Sequence, residues 1–297
     1  MKTQGLFQVA SPAKVTLHLR ILRRRSDGYH QIRIALAPVA LYDRLRFALG
    51  GAPGVRLRVT AGQPLGPPEQ NLVHRAALAF ADALGQPPAA EIELDKNIPA
   101  GAGLGGGSGD AAATLVALNR WHGHPLGPDR MEALARRLGA DVPFFLEPRP
   151  AWAEGVGERL TPLAGLPPLE LLVAMPPLAI ATGDAYAAAR AEADGGPAPT
   201  ADPDLRSLHG VVAGLFNAFE PALLPRHPVL GTLKAALLEA GALGALLSGS
   251  GAAVFGVFAD AATRDAAAAR LAPHADKEGW RLLPCRTLHA HRYDFIF

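Results

Sequence analysis

A glycine-rich loop is the feature that most constrains how this chain can fold. Six glycines lie between positions 101 and 109, directly after an alternating apolar segment and directly before an alanine-rich one. Because glycine lacks a Cβ atom, successive N–H groups of such a loop can turn toward one point, where the start of a following helix adds partial positive charge. The pattern predicts a phosphate-binding loop between a strand and a helix.

Better-known nucleotide-binding motifs match this loop only in part. Gly101, Gly103 and Gly106 match the dinucleotide-binding pattern, but that fold needs an acidic residue at the end of a second strand about 20 residues on. The residue found there, Asp129, starts an apparent helix instead. The sequence has no Gly-Lys pair for a P-loop, and neither the His-Arg-Asp nor the Asp-Phe-Gly motif of protein kinases. A flexible linker is not typical between a strand and a buried helix.

Ser108 lies where the loop passes into the predicted helix. Its hydroxyl could cap the helix by accepting a main-chain N–H, or it could reach a phosphate-bound Mg²⁺ ion. The two roles are compatible if a metal completes the cap, and the sequence leaves both open.

Phosphate binding alone does not make a kinase, because a group must also orient or deprotonate the acceptor and a cation must hold charge. Asp141 is one candidate, since Pro143 could begin a helix whose positive end would keep this carboxylate ionised. Asp141 could also be an ordinary helix-cap aspartate. Lys14 is the other candidate, a lone lysine in an apolar strand that either is functional or protects a sheet edge.

Tyr29 and His30 follow an Asp-Gly turn, a position from which an aromatic pair could stack on a nucleotide base. The alternative is that the aromatic residue folds onto the protein surface. Four arginines lie nearby, at positions 20, 23, 24 and 25. Such a cluster is usually a solvated face, although it could steer an anionic substrate.

Charge and composition exclude several classes of protein. The 29 basic and 27 acidic residues nearly balance, and aromatic residues make up 6% of the chain, so no nucleic-acid partner is expected. No apolar run approaches the length of a membrane span and no secretory signal is recognisable, so we expect a cytoplasmic protein without a membrane partner. The lone cysteine, Cys285, excludes an internal disulfide and is expected to be inert.

Apolar periodicity predicts short strands and helices along the whole chain. Strands are expected over residues 6–22, 32–41, 91–94 and 169–175, and in two apolar runs between 243 and 258. Helices are expected over residues 72–83 after an Asn71 N-cap, 111–121, 129–138, 230–239 and 261–271. The segment 187–204 is rich in alanine, glycine and proline and is expected to form a surface loop.

With these elements in order, the chain resembles the GHMP kinase superfamily through three blocks. The first is Pro12-Ala13-Lys14-Val15 with Asp27-Gly28-Tyr29-His30. The second is the loop from Pro99 to Ala112, followed by Gly139-Ala140-Asp141-Val142-Pro143-Phe144. The third is Ser248-Gly249-Ser250-Gly251 with Val254-Phe255-Gly256. The Asp-Gly-Tyr-His motif resembles that of the member acting on a cytidine diphosphate-linked methylerythritol.

The resemblance implies a kinase that uses ATP and Mg²⁺ to phosphorylate the 2-hydroxyl of that small molecule in non-mevalonate isoprenoid synthesis. By position, Asp141 would orient or deprotonate the hydroxyl, and Lys14 would hold Asp141 and stabilise developing negative charge. Tyr29 would stack on the cytosine, and His30 would hydrogen-bond to it. Further acceptor contacts would come from Thr16, Thr182, Gly249 and Ser250. The ATP phosphates would be lined by Pro99, Ala100, Gly101, Ala102, Gly103, Leu104, Gly105, Gly106, Gly107, Ser108 and Gly109, with Ser108 also the candidate Mg²⁺ ligand.

The fold implied by the resemblance is α+β, a two-domain GHMP-kinase-like fold with the active cleft between the domains. We expect the N-terminal domain, with Lys14, the glycine loop and Asp141, to cover residues 1–155. The C-terminal domain would cover residues 156–297, and the protein would be a monomer or a weak homodimer.

Two departures from the family pattern concern the site. The family usually has asparagine where this chain has Thr16, which keeps a hydroxyl but loses the paired donor and acceptor of an amide. The family also has Ser-Ser where this chain has Ser108-Gly109, so Ser108 must carry any hydroxyl role.

Two other functions stay open at this point. A homoserine-type or mevalonate-type kinase would share the superfamily motifs, but its acceptor has no base to stack on Tyr29. A catalytically silent nucleotide-binding regulator would need neither Lys14 nor Asp141. An assay of several acceptors in parallel distinguishes the three functions.

Overall fold

The computed structural model describes residues 5–24, 30–61, 66–191 and 201–296, and all statements about the fold concern these residues. The strands are β1 (Gly5–Arg24), β2 (His30–Leu49), β3 (Gly54–Ala61), β4 (Ala89–Asp95), β5 (Ala151–Gly155), β6 (Arg159–Pro162), β7 (Glu170–Met175), β8 (Phe216–Asn217), β9 (Gly244–Leu247), β10 (Val254–Phe258) and β11 (Arg281–Arg286). The α-helices are α1 (Leu72–Leu84), α2 (Gly106–Trp121), α3 (Pro128–Leu138), α4 (Thr182–Ala191), α5 (Leu208–Gly214), α6 (Glu220–Arg226), α7 (Pro228–Glu239) and α8 (Ala261–Glu278). Short 3-10 helices cover Pro68–Gln70 and Pro143–Leu146.

Seven of the described strands form the first sheet, with the long antiparallel pair β1 and β2 at its centre. One end of β2 pairs with β4 and the other with β5, while β8 adds in parallel to β1. The register between β1 and β2 shifts after Pro12 and again after Thr16. Irregularities of this kind bend a strand and redirect its side chains. They lie on either side of Lys14, the strand residue that the sequence singles out.

The second sheet contains four described strands in the antiparallel order β11-β7-β10-β9. Its apolar residues Val173 and Phe255 belong to one buried cluster with Val15 and Ala37 of the first sheet. Because this cluster contains residues of both sheets, the hydrophobic effect holds them together. The fold is therefore α+β, as predicted.

Local signals placed most elements correctly. The Asn71 side chain accepts a hydrogen bond from the Val73 N–H at 2.9 Å, and Gly85 ends α1 in the left-handed conformation with φ 61°. The expected strand pair, the hairpin of β9 and β10, and the amphipathic helix α3 are confirmed. None of the helices in the described residues combines the length and apolar character that crossing a membrane requires.

Two predicted boundaries were wrong. Helix α2 begins at Gly106 and not at residue 111, so the last glycines of the loop are helical and Ser108 lies in the first helical turn. Gly105 is the N-cap residue, and no side chain caps the helix, so the capping role predicted for Ser108 is also wrong. Residues 187–191 belong to α4 because Ala185 and Ala188 are buried in the apolar core. The rest of the predicted loop includes residues 192–200, which lie outside the described residues.

The predicted domain boundary between residues 155 and 156 lies in the turn between β5 and β6. The chain leaves the first sheet after Pro162 and enters the second at Glu170, but β8 later returns to the first sheet. The division of the chain at residue 155 stays a prediction.

Candidate active site

A cavity of about 760 Å³ lies beside the glycine loop, the central strands and the turn between β9 and β10. Its volume is within the range of about 300–1,000 Å³ that small-molecule sites usually have. Most residues singled out from the sequence line it: Lys14, Thr16, His30, Pro99, Ala100, Gly101, Ala102, Gly103, Gly105, Gly106, Gly107, Ser108, Asp141, Thr182, Gly249 and Ser250. Residues from positions 14 to 250 thus meet in one space.

Three of the singled-out residues are not part of this lining. Tyr29 lies outside the described residues. Leu104 is buried, and its carbonyl oxygen accepts the Lys14 main-chain N–H at 2.9 Å. A Cβ atom on Gly109 would lie 2.7 Å from the Ser11 hydroxyl oxygen, so this helix position has no room for a side chain. Leu104 and Gly109 fasten the loop to β1 and do not line the cavity.

The glycine loop packs directly on the turn between β9 and β10. Gly103 has a left-handed φ of 73°, and a Cβ atom there would lie 1.9 Å from the carbonyl oxygen of Ser248. The main-chain N–H of Ala253 donates to the carbonyl oxygen of Ala102 at 3.1 Å. Glycine at position 103 is therefore required both by the backbone conformation and by the close approach.

The Lys14 side chain, only 5% exposed, points into this junction. Its Nζ donates to the carbonyl oxygen of Gly103 at 2.7 Å and to the Thr16 hydroxyl at 3.3 Å. Burial lowers the pKa of Lys14, while the nearby Asp141 carboxylate opposes that shift. Both residues are described, and their charged groups are more than 4.0 Å apart, so Lys14 acts on Asp141 through charge without a direct ion pair.

Asp141 lies in the short segment between α3 and the 3-10 helix that begins at Pro143. Pro143 is the first residue of that helix, as predicted, but the N-cap position belongs to Val142. No side chain caps this helix, which leaves the ordinary cap role of Asp141 without support. Phe144 and Phe145 are buried and fix the segment in the core, so the Asp141 carboxylate stays at the cavity wall.

An aromatic group lines the same cavity. The His30 ring stacks on Tyr186, with centroids 5.0 Å apart and an interplanar angle of 15°. Tyr186 in turn packs edge-to-face on Phe219, with centroids 4.9 Å apart. Burial and the charge of Asp141 raise the pKa of Tyr186 to about 12, so its hydroxyl stays protonated at neutral pH.

Sequence reasoning missed Tyr186 and Phe219. Tyr186 lies four residues after Thr182, one helical turn away, but helical spacing alone does not predict a contact with His30. Phe219 follows the two-residue strand β8, whose position depends on pairing with β1. Both contacts arise from tertiary packing.

A buried ionic cluster ties the two ends of the glycine loop together. Lys96, just before the loop, contacts the carboxylates of Asp43 and Asp110, the latter at 3.0 Å. Asp43 also accepts the main-chain N–H groups of Asn97 and Ile98. Burial raises the pKa of Asp110 to about 7, against the opposing charge of Lys96. The sequence analysis did not identify this cluster, because its three members lie in different elements.

The residues present fit a metal ion held mainly by nucleotide phosphates. Within the described residues, no group of three or more His, Cys, Asp or Glu side chains could hold a metal ion. Ser108 and Asp141 place oxygen atoms at the cavity that also contains the glycine loop. Mg²⁺ is typically bound by one or two protein oxygens together with phosphates and water.

Comparison with known families identifies two matching regions. Residues 71–147 match the family described as GHMP kinases N terminal domain, and residues 204–276 match GHMP kinases C terminal. The first match contains the glycine loop and Asp141, and the second contains the Ser248–Gly251 turn.

Several curated relatives are similar over most of their length. A 4-diphosphocytidyl-2-C-methyl-D-erythritol kinase of Symbiobacterium thermophilum is 43% identical, over 85% of this chain and 91% of the relative. One of the same name from Deinococcus radiodurans is 43% identical, over 91% of this chain and 89% of the relative.

Solved structures agree with this grouping. A crystal structure of 4-(cytidine 5'-diphospho)-2C-methyl-D-erythritol kinase superimposes with a TM-score of 0.79 and 39% identity, over 94% of this chain and 98% of that one. A homoserine kinase of Cytophaga hutchinsonii superimposes with a TM-score of 0.71 at 20% identity, over 100% of this chain and 99% of that one. The second likeness shows the shared fold alone.

Proposed function

The chain belongs to the 4-diphosphocytidyl-2-C-methyl-D-erythritol kinase family of GHMP kinases, and from this premise we propose its reaction. It is an ATP-dependent kinase that transfers the γ-phosphoryl group of ATP to the 2-hydroxyl of 4-diphosphocytidyl-2-C-methyl-D-erythritol. The product serves non-mevalonate isoprenoid precursor synthesis.

One observation carries the assignment of roles within the site. The glycine loop, a buried lysine, a carboxylate and a stacked aromatic pair line the same cavity. The loop and the charged pair suit phosphoryl transfer, and the His30–Tyr186 pair suits an acceptor that carries a base. This combination favours a nucleotide-linked acceptor over homoserine or mevalonate, which have no ring to stack.

ATP would be bound through its phosphates by the main chain of the glycine loop. The N–H groups at the start of α2, from Gly106 to Ser108, have no carbonyl partner within the helix and favour negative charge. Because this helix begins within the loop, its positive end lies at the cavity wall. The loop would thus hold the phosphates without a Walker-type lysine.

Asp141 would orient the acceptor hydroxyl and take up its proton during transfer. Lys14 would stabilise the negative charge that develops on the oxygens of the transferred group. The Lys14 ammonium is already fixed on the Gly103 carbonyl oxygen at 2.7 Å, so little reorganisation is required when the substrates bind. Asp141 remains available to the acceptor because Lys14 does not pair with it directly.

The cytosine of the acceptor would bind at the aromatic end. His30 would hydrogen-bond to the base, Tyr186 would support the His30 ring, and Tyr29 would stack on the base. Thr16, Thr182, Gly249 and Ser250 would contact the rest of the acceptor. The hydroxyls of Thr182 and Ser250 are 3.2 Å apart and line the cavity together.

Mg²⁺ would be held by the ATP phosphates, with the Ser108 hydroxyl as the protein ligand. The ion would neutralise part of the phosphate charge. A cytoplasmic location, the absence of nucleic-acid and membrane partners, and a monomeric or weakly dimeric state remain predictions from the sequence.

The test is ADP release with Mg-ATP and three acceptors in parallel: 4-diphosphocytidyl-2-C-methyl-D-erythritol, homoserine and mevalonate. We expect turnover with the cytidyl acceptor alone. Turnover with another acceptor instead would keep the kinase and reject the aromatic end as a base site. No turnover with any acceptor, while ATP still binds, would favour a silent nucleotide-binding regulator.

A further inference from the structure

We propose that Asn217 is a positioning residue that holds the phosphate end and the aromatic end of the cavity at the same time. Its side chain does not line the cavity, and it is only 2% exposed. The inference rests on the proposed function, because the two ends are defined by that reaction. It explains how the fold fixes the phosphate end and the aromatic end relative to each other.

The first contact of Asn217 is with the turn that packs on the glycine loop. Its amide Nδ2 donates to the carbonyl oxygen of Leu247 at 2.7 Å and to that of Gly249 at 2.8 Å. These two carbonyls flank Ser248 on either side. Two hydrogen bonds from one rigid amide therefore fix the position of the Ser248 main chain.

Ser248 connects this turn to Lys14. Its buried hydroxyl donates to the carbonyl oxygen of Gly103 at 3.0 Å and accepts the Thr16 main-chain N–H at 3.3 Å. The same Gly103 carbonyl oxygen accepts the Lys14 ammonium. The path from Asn217 to Lys14 therefore consists of four hydrogen bonds, two from Asn217 to the carbonyls beside Ser248 and two to the Gly103 carbonyl oxygen.

The second contact of Asn217 is with the aromatic end. Its Oδ1 accepts the main-chain N–H of Phe219 at 2.9 Å. Phe219 lines the cavity and packs edge-to-face on Tyr186, which stacks on His30. The Asn217 side-chain carbonyl therefore fixes the position of Phe219, the first of the three rings that pack on one another.

Asparagine suits this position because its amide carries two donor hydrogens and an acceptor oxygen in one plane. The backbone of Asn217 is itself fixed, since β8 pairs in parallel with β1 at Leu19 and the Ala218 N–H donates to the Leu19 carbonyl oxygen at 3.0 Å. A buried side chain with all of its hydrogen bonds made is rigid, which is what positioning requires.

Asn217→Asp separates the two contacts. An aspartate keeps an oxygen for the Phe219 N–H but presents no donor to the Leu247 and Gly249 carbonyls when ionised, and only one donor in place of the amide's two when burial keeps it protonated. We expect kcat to fall by about 10- to 100-fold, because displacement by about 1 Å can cost that much. KM for the cytidyl acceptor should change less than about twofold. Asn217→Ala removes both contacts and should also raise that KM about three- to tenfold.

Asn119→Asp is the matched control. Asn119 is also buried, and it makes the same kind of paired contact, with both main-chain polar groups of Leu126 at 3.0 Å. It does not line the active cavity. We expect Asn119→Asp to lower Tm without the kcat loss of Asn217→Asp. An equal kcat loss in both variants would mean that Asn217 contributes only to overall stability, and this would overturn the proposal.

Ser248→Ala tests the same path if Asn217→Asp does not fold. This variant removes only the hydroxyl that joins the turn to Gly103 and Thr16, and we expect a kcat loss without a change in acceptor KM. Wild-type kcat in Ser248→Ala, or in folded Asn217→Asp, would overturn the proposal. Turnover of the wild-type protein with the cytidyl acceptor tests the proposed function separately, and the variants are compared using whichever acceptor the wild type accepts.

Discussion

Lys14 donates a hydrogen bond to the carbonyl oxygen of Gly103 at 2.7 Å, although the two residues are 89 positions apart in the sequence. The contact places the buried ammonium at the wall of the glycine loop. The partner of the Lys14 ammonium is thus a neutral carbonyl oxygen, and Lys14 makes no direct ion pair with the Asp141 carboxylate. The charged groups proposed for catalysis are thereby kept close but separate.

Asp141→Asn should retain ATP binding and lower kcat by at least about 100-fold, because an amide cannot take up the hydroxyl proton. Steady-state kinetics and binding of a fluorescent ATP analogue measure the two effects. Asp129→Asn, at an exposed position in the first turn of α3, serves as the control and should keep the wild-type kcat. Near-normal turnover of Asp141→Asn would exclude Asp141 as the base.

Tyr186→Ala should weaken binding of the cytidyl acceptor by about 0.5–1.5 kcal/mol, the contribution of an aromatic pair, because Tyr186 supports the His30 ring. The loss arises because His30 would no longer have a ring to stack on. Tyr186→Phe keeps the ring and should bind the acceptor almost as tightly as the wild type. Isothermal titration with the acceptor makes the comparison, and equal affinity in Tyr186→Ala and the wild type would remove this residue from the site.

Gly103→Ala should damage ATP binding more than Gly101→Ala. Both glycines have left-handed φ angles, 73° and 67°, so an alanine strains the backbone similarly at either position. Only at 103 would the new Cβ also meet the Ser248 carbonyl, whereas at 101 its nearest neighbour lies 3.7 Å away. The measurement is the KM for ATP in both variants. Equal effects would mean that backbone strain alone matters and that the packing on Ser248 does not.

Lys96→Met should lower the free energy of unfolding by about 3–5 kcal/mol, because it leaves the Asp43 and Asp110 carboxylates buried without their cation. Urea denaturation measures this difference. Lys277→Met, an exposed position in the last turn of α8, should change stability by less than about 0.5 kcal/mol. A similarly small change in Lys96→Met would show that the cluster does not hold the loop.

The free energy of unfolding should depend on pH through the titration of Asp110. Its pKa rises from 3.8 to about 7 on folding, so between these values the folded state holds a proton that the unfolded state has released. The stability contributed by the protonated group is complete below about pH 4 and is lost as the pH rises through about 7. The free energy of unfolding of the wild type, minus that of Asp110→Asn, should therefore fall over this interval in urea titrations. A difference that stays constant or rises with pH would contradict the assignment.

Much of the fold could be predicted from the sequence, because the signals are local. The Asn71 cap, the Gly85 stop and the apolar face of α3 depend on residues within one or two helical turns. The start of α2 could not be predicted in the same way, since glycines disfavour helix. Gly106 and Gly109 are helical here because the helix packs closely on Ile98 and Ser11, where larger residues would not fit.

In the candidate site, too, local sequence signals predicted some features and tertiary packing decided the others. The glycine spacing predicted a loop between a strand and a helix, and the motifs around Lys14, His30 and Asp141 identified residues that the structure brings to one cavity. The ring of Tyr186 beneath His30 was decided by tertiary structure, and so was the bond between Ser248 and Gly103, which are 145 positions apart. Such contacts depend on how the two sheets pack and on the strand register that brings β8 to β1. A local pattern of residue types determines which conformation a segment prefers, but it carries no information about the distant segment that will complete its hydrogen bonds.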